Sequence, residues 1–164
     1  MTKSSTVFFL EMRDPSQLSA AKRPPGELRL ERARIPSPRL NDWFYRSVGE
    51  AFHWVDRLAW SSERWRTWCA RPCLETWVLH VSGTPAGYFE LERQEEGDVE
   101  IAIFGLLPEF HGGGLGGWLL TRAVEIAWDG GAKRVWVHTC TEDHDAALPN
   151  YEKRGFTLYR TERT

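Results

Sequence analysis

The sequence predicts an α/β fold of the α+β kind, with one central sheet of about six to seven strands flanked by about four helices. Three observations carry that expectation. Strand-like and helix-like segments alternate in the order β–β–α–α–β–β–β–α–β–α–β. A dense glycine run, Gly112 to Gly117, is wedged between a buried strand and an apolar helix. And 164 residues, 41% hydrophobic and 27% charged, suit one domain of roughly 100–200 residues. The expected domain spans 1–164, with 1–26 as an N-terminal strand and linker appended to it.

The elements follow in order. Thr6 to Met12 reads as a short strand, and Asp14 to Gly26 as a polar linker holding Pro15 and Pro24-Pro25. Glu27 to Ile35 alternates Leu28, Leu30 and Ala33 and reads as a strand. Leu40 to Val48 and Ser61 to Ala70 read as helices, with Ser61 as N-cap. Trp77 to Val81 and Gly87 to Leu91 form two strands joined by the turn Ser82-Gly83-Thr84-Pro85. After the turn Glu95 to Asp98, Val99 to Leu107 is a strand of β-branched and aromatic residues. Leu115, Leu119, Ala123 and Ile126 then recur at helical spacing, stopped by Gly130-Gly131. Arg134 to Thr139 and Thr157 to Thr161 are the last strands, with a short helix between them.

Composition excludes several classes. A net charge of −2 with no basic run lacks the footprint of a nucleic-acid binder. No apolar stretch approaches the ~18 residues of a membrane span. Val7 to Leu10, ended by Glu11, is too short for a signal peptide. Cys69, Cys73 and Cys140 leave an odd thiol, which points to a reducing, cytoplasmic setting. His138, Cys140 and His144, with Asp143 and Asp145 nearby, show no metal-ligand spacing, so no metal is expected.

A glycine-rich turn opening a helix presents bare N–H groups at the positive end of the helix dipole, a site suited to phosphate. The dinucleotide pattern G-x-G-x-x-G occurs from Gly112 to Gly117 only because the run is so glycine-dense, and no following βαβ unit supports it. The P-loop pattern fails, because no Lys-Ser or Lys-Thr follows. The frame His111-x-x-Gly114-x-Gly116, after Pro108, instead resembles the acetyl-CoA signature Gln/Arg-x-x-Gly-x-Gly/Ala of the GNAT acyltransferase superfamily, with His111 in place of Gln or Arg. The segment His144 to Phe156 resembles the superfamily's closing element N-x-x-A-x-x-x-Y-x-x-x-G-F. Ala147, Tyr151, Gly155 and Phe156 match it, and His144 stands where Asn is usual. The two elements and their strands cover the C-terminal half, Val78 to Arg160.

The resemblance implies a mixed, mostly antiparallel, twisted sheet, splayed between two strands around an acetyl-CoA cleft. It also implies that acetyl-CoA is held by His111, Gly112, Gly113, Gly114, Leu115, Gly116 and Gly117, by Phe104 and Leu106 on the strand, and by His144 and Ala147. A backbone N–H near Leu106 would polarise the thioester. Gly105 marks either a bulge or close ligand approach, or room for a large neighbouring side chain. Many relatives add a final strand after the point where this chain stops, and Thr6 to Met12 could take that sheet edge.

Acyl transfer to an amine needs a base and an acid. Glu100, eleven residues before His111, stands where related enzymes often place a catalytic glutamate; the structural alternative is pairing with Arg93 or Arg134. Tyr151 matches the tyrosine that relatives aim at the coenzyme sulfur, and its alternative is core packing beside Phe156. His138 is a candidate substrate-lining residue. The acceptor region is unusually aromatic: Trp43, Phe44 and Trp65 are expected in the core. The loop around Phe52 to Asp56 reads either as an acceptor pocket with Trp54 and Trp60 as walls and Glu50 or Asp56 facing a cation, or as a lid packed over the core. Arg57, Arg64 and Arg66 would instead suit an acidic acceptor. The expected activity is acetyl-CoA-dependent N-acetylation of a small-molecule amine, with a homodimer possible from the family. A CoA-binding sensor and a protein N-acetyltransferase are the alternatives.

Overall fold

The computed structural model describes residues 4–164. Seven strands form one sheet: β1 (Thr6–Met12), β2 (Leu28–Arg32), β3 (Leu74–Val81), β4 (Thr84–Arg93), β5 (Asp98–Leu106), β6 (Arg134–Cys140) and β7 (Thr157–Arg163). Four α-helices join them: α1 (Pro38–Gly49), α2 (Ser62–Ala70), α3 (Leu115–Asp129) and α4 (Ala147–Lys153). The spatial order is β2-β3-β4-β5-β6-β1-β7. Every neighbouring pair runs antiparallel except β5 and β6, which are parallel and linked through α3. A parallel pair needs such a crossover, whereas β3 and β4 need only the two-residue turn at Ser82 and Gly83, both at positive φ.

The N-terminal strand is not at the edge. β1 inserts between β6 and β7, pairing Val7 with Cys140 on one side and with Glu162 on the other. Leu10 and Met12 are fully buried in the main core, and β7 becomes the edge. The alternation of β1 fixes which face it buries: Phe8, Leu10 and Met12 pack on the main core. The linker after it straps back over the helices: Ser19 N–H donates to Arg154 O at 2.8 Å, and Ala21 N–H to Thr121 Oγ1 at 2.9 Å.

Successive strand residues face opposite sides of the sheet, and the core divides accordingly. Leu79, Phe89, Val99, Ile101, Val135 and Val137 pack with Leu119, Leu120, Ala123, Val124 and Ala127 of α3. On the other face, Val78 and Tyr88 meet Phe44 and Val48 of α1, and α2 contributes Trp65 and Cys69. Ser61 caps α2 by accepting from Arg64 N–H at 3.1 Å. Trp43 departs from expectation. It is 49% exposed and packs edge-on against Phe44, because Phe44 and Val48 already form the inner face of α1.

A buried ionic network ties the second face together. Glu90 is fully buried on β4 and accepts from Arg57 Nη1 (3.0 and 3.1 Å), Trp68 Nε1 (2.9 Å) and Asn41 Nδ2 (2.9 Å). Trp60, Trp65, Trp68 and Tyr45 surround the Arg57 guanidinium, with ring centroids 4.5 to 5.7 Å from Cζ. A buried carboxylate is tolerable only when paired and hydrogen-bonded in this way. Arg57 is thereby consumed inside the protein and does not face an acidic acceptor.

Candidate active site

Strands β5 and β6 stay paired only from Asp98–Arg134 to Glu100–Trp136. Beyond that point they diverge. The cause is local: the pairing of β5 with β4 shifts between Ile101 and Ile103, so Ala102 is an extra residue that bends β5 away from β6. The bulge is therefore at Ala102 and not at Gly105. A Cβ on Gly105 would collide with Val48 and come within 3.2 Å of the Trp54 ring, so this glycine makes room for the side chains above it.

The divergence opens a cleft of about 140 Å³. Phe104 and Leu106 of β5 and Tyr151 of α4 line it, with Val48 of α1, Phe52 and Trp54 of the α1–α2 connection, and His111, Gly112, Gly116, His144 and Ala147 at the mouth. Leu107 N–H bonds back to Ala86 O on the β4 side. Strand alternation then turns the N–H and C=O of Leu106 the other way, into the splay. The bond between His111 Nε2 and Leu106 O (3.1 Å) agrees with that orientation.

Gly112 and Gly114 have φ of +84° and +79°, and Gly114 serves as the N-cap of α3. L-residues resist these values, which let the chain turn sharply into the helix. The N–H groups of Leu115, Gly116 and Gly117 precede the bond from Trp118 N–H to Gly114 O, so they start the helix without intrahelical acceptors. N–H groups so placed at the positive end of the helix dipole are of the kind that can receive an anion, and they lie next to the cleft mouth. His111 and His144 stack edge-on there at 4.8 Å, and Phe52 lies 4.9 Å from His144.

Tyr151 is 4% exposed, its ring packed 6.3 Å from Phe104 and 5.9 Å from Phe156. Burial, with a smaller contribution from the Asp143 charge, raises the phenol well above its ordinary range. The group therefore stays a neutral phenol, able to donate a hydrogen bond, throughout the physiological range.

The structure gathers Phe104, Leu106, His111, Gly112, Gly116, His144, Ala147, Tyr151 and Trp54 around one cleft. Other candidates lie elsewhere. Glu100 and His138 meet each other at the closed end of the splay, 3.3 Å apart, and neither lines the cleft. Glu100 also accepts from Gln94 at 3.1 Å rather than pairing with Arg93 or Arg134, which are held by Glu75 and by Glu11 and Asp98. Trp60 belongs to the Arg57 cage and forms no wall of the cleft. Leu115 is buried in the core. A Cβ on Gly117 would come within 3.2 Å of Ala21 and Arg154, so that residue is covered by the N-terminal strap. Gly113 and Gly114 shape the turn without lining the cavity.

Val48, Phe52, Asn150 and above all Asp143 line the cleft although sequence reasoning did not single them out as site residues. Asn150 Nδ2–H donates to Gly116 O at 3.2 Å and ties α4 to the glycine turn. For Asp143 the available signal was its position one residue before His144.

Comparison with known proteins agrees with this geometry. A model of the acetyltransferase (GNAT) family matches residues 38–156. An uncharacterized N-acetyltransferase of Mycobacterium tuberculosis is 32% identical over 101 residues, covering 62% of this chain and 64% of that protein. A mycothiol acetyltransferase of Corynebacterium efficiens is 33% identical over 113 residues, 66% of this chain and 38% of that protein. The chain thus spans less than two thirds of the length of these relatives. An aminoglycoside acetyltransferase from an uncultured soil metagenomic sample, solved in complex with trehalose, shares the fold. Its TM-score is 0.62 at 18% identity, over 77% of this chain and 86% of that one. With a splayed sheet, a glycine turn at the head of α3 and a family match over most of its length, the chain belongs to the GNAT acetyltransferase family.

Proposed function

We propose that this protein transfers the acetyl group of acetyl-CoA directly to the primary amine of a small molecule. The observation that carries the reading is the cleft itself. An anion site at the head of α3 opens onto a narrow, largely apolar channel between β5 and β6. That combination suits a phosphorylated carrier with a long, thin arm. The Leu106 N–H faces the splay, where it would polarise a thioester carbonyl. Tyr151, held as a neutral phenol, would donate to the departing sulfur. The names of two similar proteins, a mycothiol acetyltransferase and an aminoglycoside acetyltransferase, support a small-molecule acceptor. The cleft is also narrow and roofed by Phe52 and Trp54.

The test is thiol release from acetyl-CoA across a panel of small amines, with mass spectrometry of the products. The expected result is amine-dependent release matched by an acetylated product. Tight binding of acetyl-CoA with no release from any amine would overturn the transferase reading.

A further inference from the structure

We propose that Asp143 is the acceptor-binding carboxylate of this cleft, and that the acceptor is a small amine presented to it as a cation. The inference rests on the N-acetyltransferase reading above and names the substrate class it would take.

Of the residues lining the cleft, among those described, Asp143 is the one carboxylate. It is held rigidly. Its Oδ1 accepts from Trp54 Nε1 at 3.3 Å and from His144 N–H at 2.8 Å, and its Oδ2 accepts from Thr139 Oγ1 at 2.8 Å. An ionised carboxylate offers about four acceptor positions, so these three donors leave one on Oδ2 unfilled. Asp143 and Tyr151 line the same cleft. Trp54 meets the carboxylate with the N–H edge of its indole, and its ring lines the same cleft.

Glu100 lacks these properties. Its Oε2 is occupied by Gln94 and its Oε1 faces His138. Gln94 is in turn fixed by Trp136 and Glu92. That cluster stands on the exposed face of β6, where His138 neighbours Phe9.

The protons balance as follows. The acceptor enters as an ammonium, hydrogen-bonded to Asp143 Oδ2, and gives that oxygen one proton, which passes on to solvent. The freed nitrogen lone pair forms a C–N bond with the thioester carbon, and the C–S bond breaks. Tyr151 protonates the sulfur, and the second proton lost from nitrogen restores the phenol.

The test compares wild type with Asp143→Asn on acetyl-CoA affinity, melting temperature, and kcat and KM for a cationic diamine and for glycine as a zwitterionic amine. Loss of one charge-assisted contact predicts a roughly 10–100-fold fall in kcat/KM for the diamine. KM should rise, with acetyl-CoA affinity and melting temperature unchanged. Thr139→Val, which removes one neutral donor and keeps the charge, should cost less than tenfold, and Asp145→Asn on the exposed neighbour should change nothing. An active wild type whose Asp143→Asn form keeps its diamine KM, or one that prefers glycine, overturns this inference and leaves the acetyltransferase reading standing. A wild type that acetylates no amine overturns both.

Discussion

Replacing Arg57 with alanine should destabilise the protein far more than an arginine near the surface normally would. Arg57 is 8% exposed and Glu90 is fully buried, with their charged atoms 3.0 Å apart. Removing the guanidinium leaves Glu90 inside the protein with only the neutral donors of Trp68 and Asn41. Breaking a buried pair from one side costs about 3–5 kcal/mol, a large share of the roughly 5–15 kcal/mol that holds a domain together. At about 2–4 °C per kcal/mol for a chain of this size, the melting temperature should fall by about 6–20 °C. The emptied tryptophan cage adds lost packing. Thermal and urea melts of Arg57→Ala and of Arg57→Met/Glu90→Leu separate the two contributions. The double variant removes both charges together and should recover part of the loss, the remainder being the buried Trp68 and Asn41 donors left without Glu90. A single variant that melts within 2 °C of wild type would refute the claim that this pair holds the α1–α2 connection in place.

Further predictions follow from the same geometry. Tyr151→Phe keeps the ring contacts with Phe104 and Phe156 and deletes a hydroxyl that no described protein group hydrogen-bonds. It should lower kcat by about 10²-fold or more while acetyl-CoA affinity and melting temperature hold; unchanged turnover would remove the phenol from the reaction. The raised phenol also sets a sign for the pH profile. A group that holds its proton more tightly than an ordinary tyrosine, which is half ionised near about pH 10, stays a donor to higher pH. At saturating acceptor, ionisation of the phenol should therefore cause no alkaline fall in turnover through about pH 10, read against the uncatalysed rate of thioester hydrolysis. Deleting residues 1–13 strips β1 from between β6 and β7 and removes Leu10 and Met12 from the core. The shortened chain should lose its cooperative melt, and a truncation that melts like the full chain would contradict the topology.

Much of this was legible in local patterns. Period-two alternation located the strands, and the glycine turn between Leu107 and Leu115 marked the head of α3. The match of Ala147, Tyr151, Gly155 and Phe156 to the family's closing element implied a cofactor-side segment, and α4 carries Ala147 and Tyr151 on the lining of the cleft. What sequence could not supply was pairing across long separations. Nothing in Thr6 to Met12 says whether the strand takes an edge or an interior slot, because that depends on both β6 and β7 leaving a ladder open. The fate of Arg57 shows the same limit. Beside Trp60 and Trp68 it reads equally as a surface cation or as the contents of a cage, and the partner that decides, Glu90, lies on another element. Glu100 and Asp143 illustrate it at the site. Both are carboxylates near a strand end, and only the Ala102 bulge, which opens the splay beyond Glu100, decides which one meets the cleft.

Calorimetric titration with acetyl-CoA, of wild type and of Gly116→Val in parallel, probes the central claim most directly. Gly116 lines the cleft, and a β-carbon there would meet Asn150 and Leu106 in ordinary contact at 3.8 Å, so valine's methyls beyond it are directed at the space proposed for the carrier. Saturable binding to wild type, weakened at least tenfold in a Gly116→Val protein that melts at the wild-type temperature, is the predicted result. Wild type that shows no saturable heat, or a variant that binds as tightly as wild type, would contradict the assignment of this cleft to acetyl-CoA.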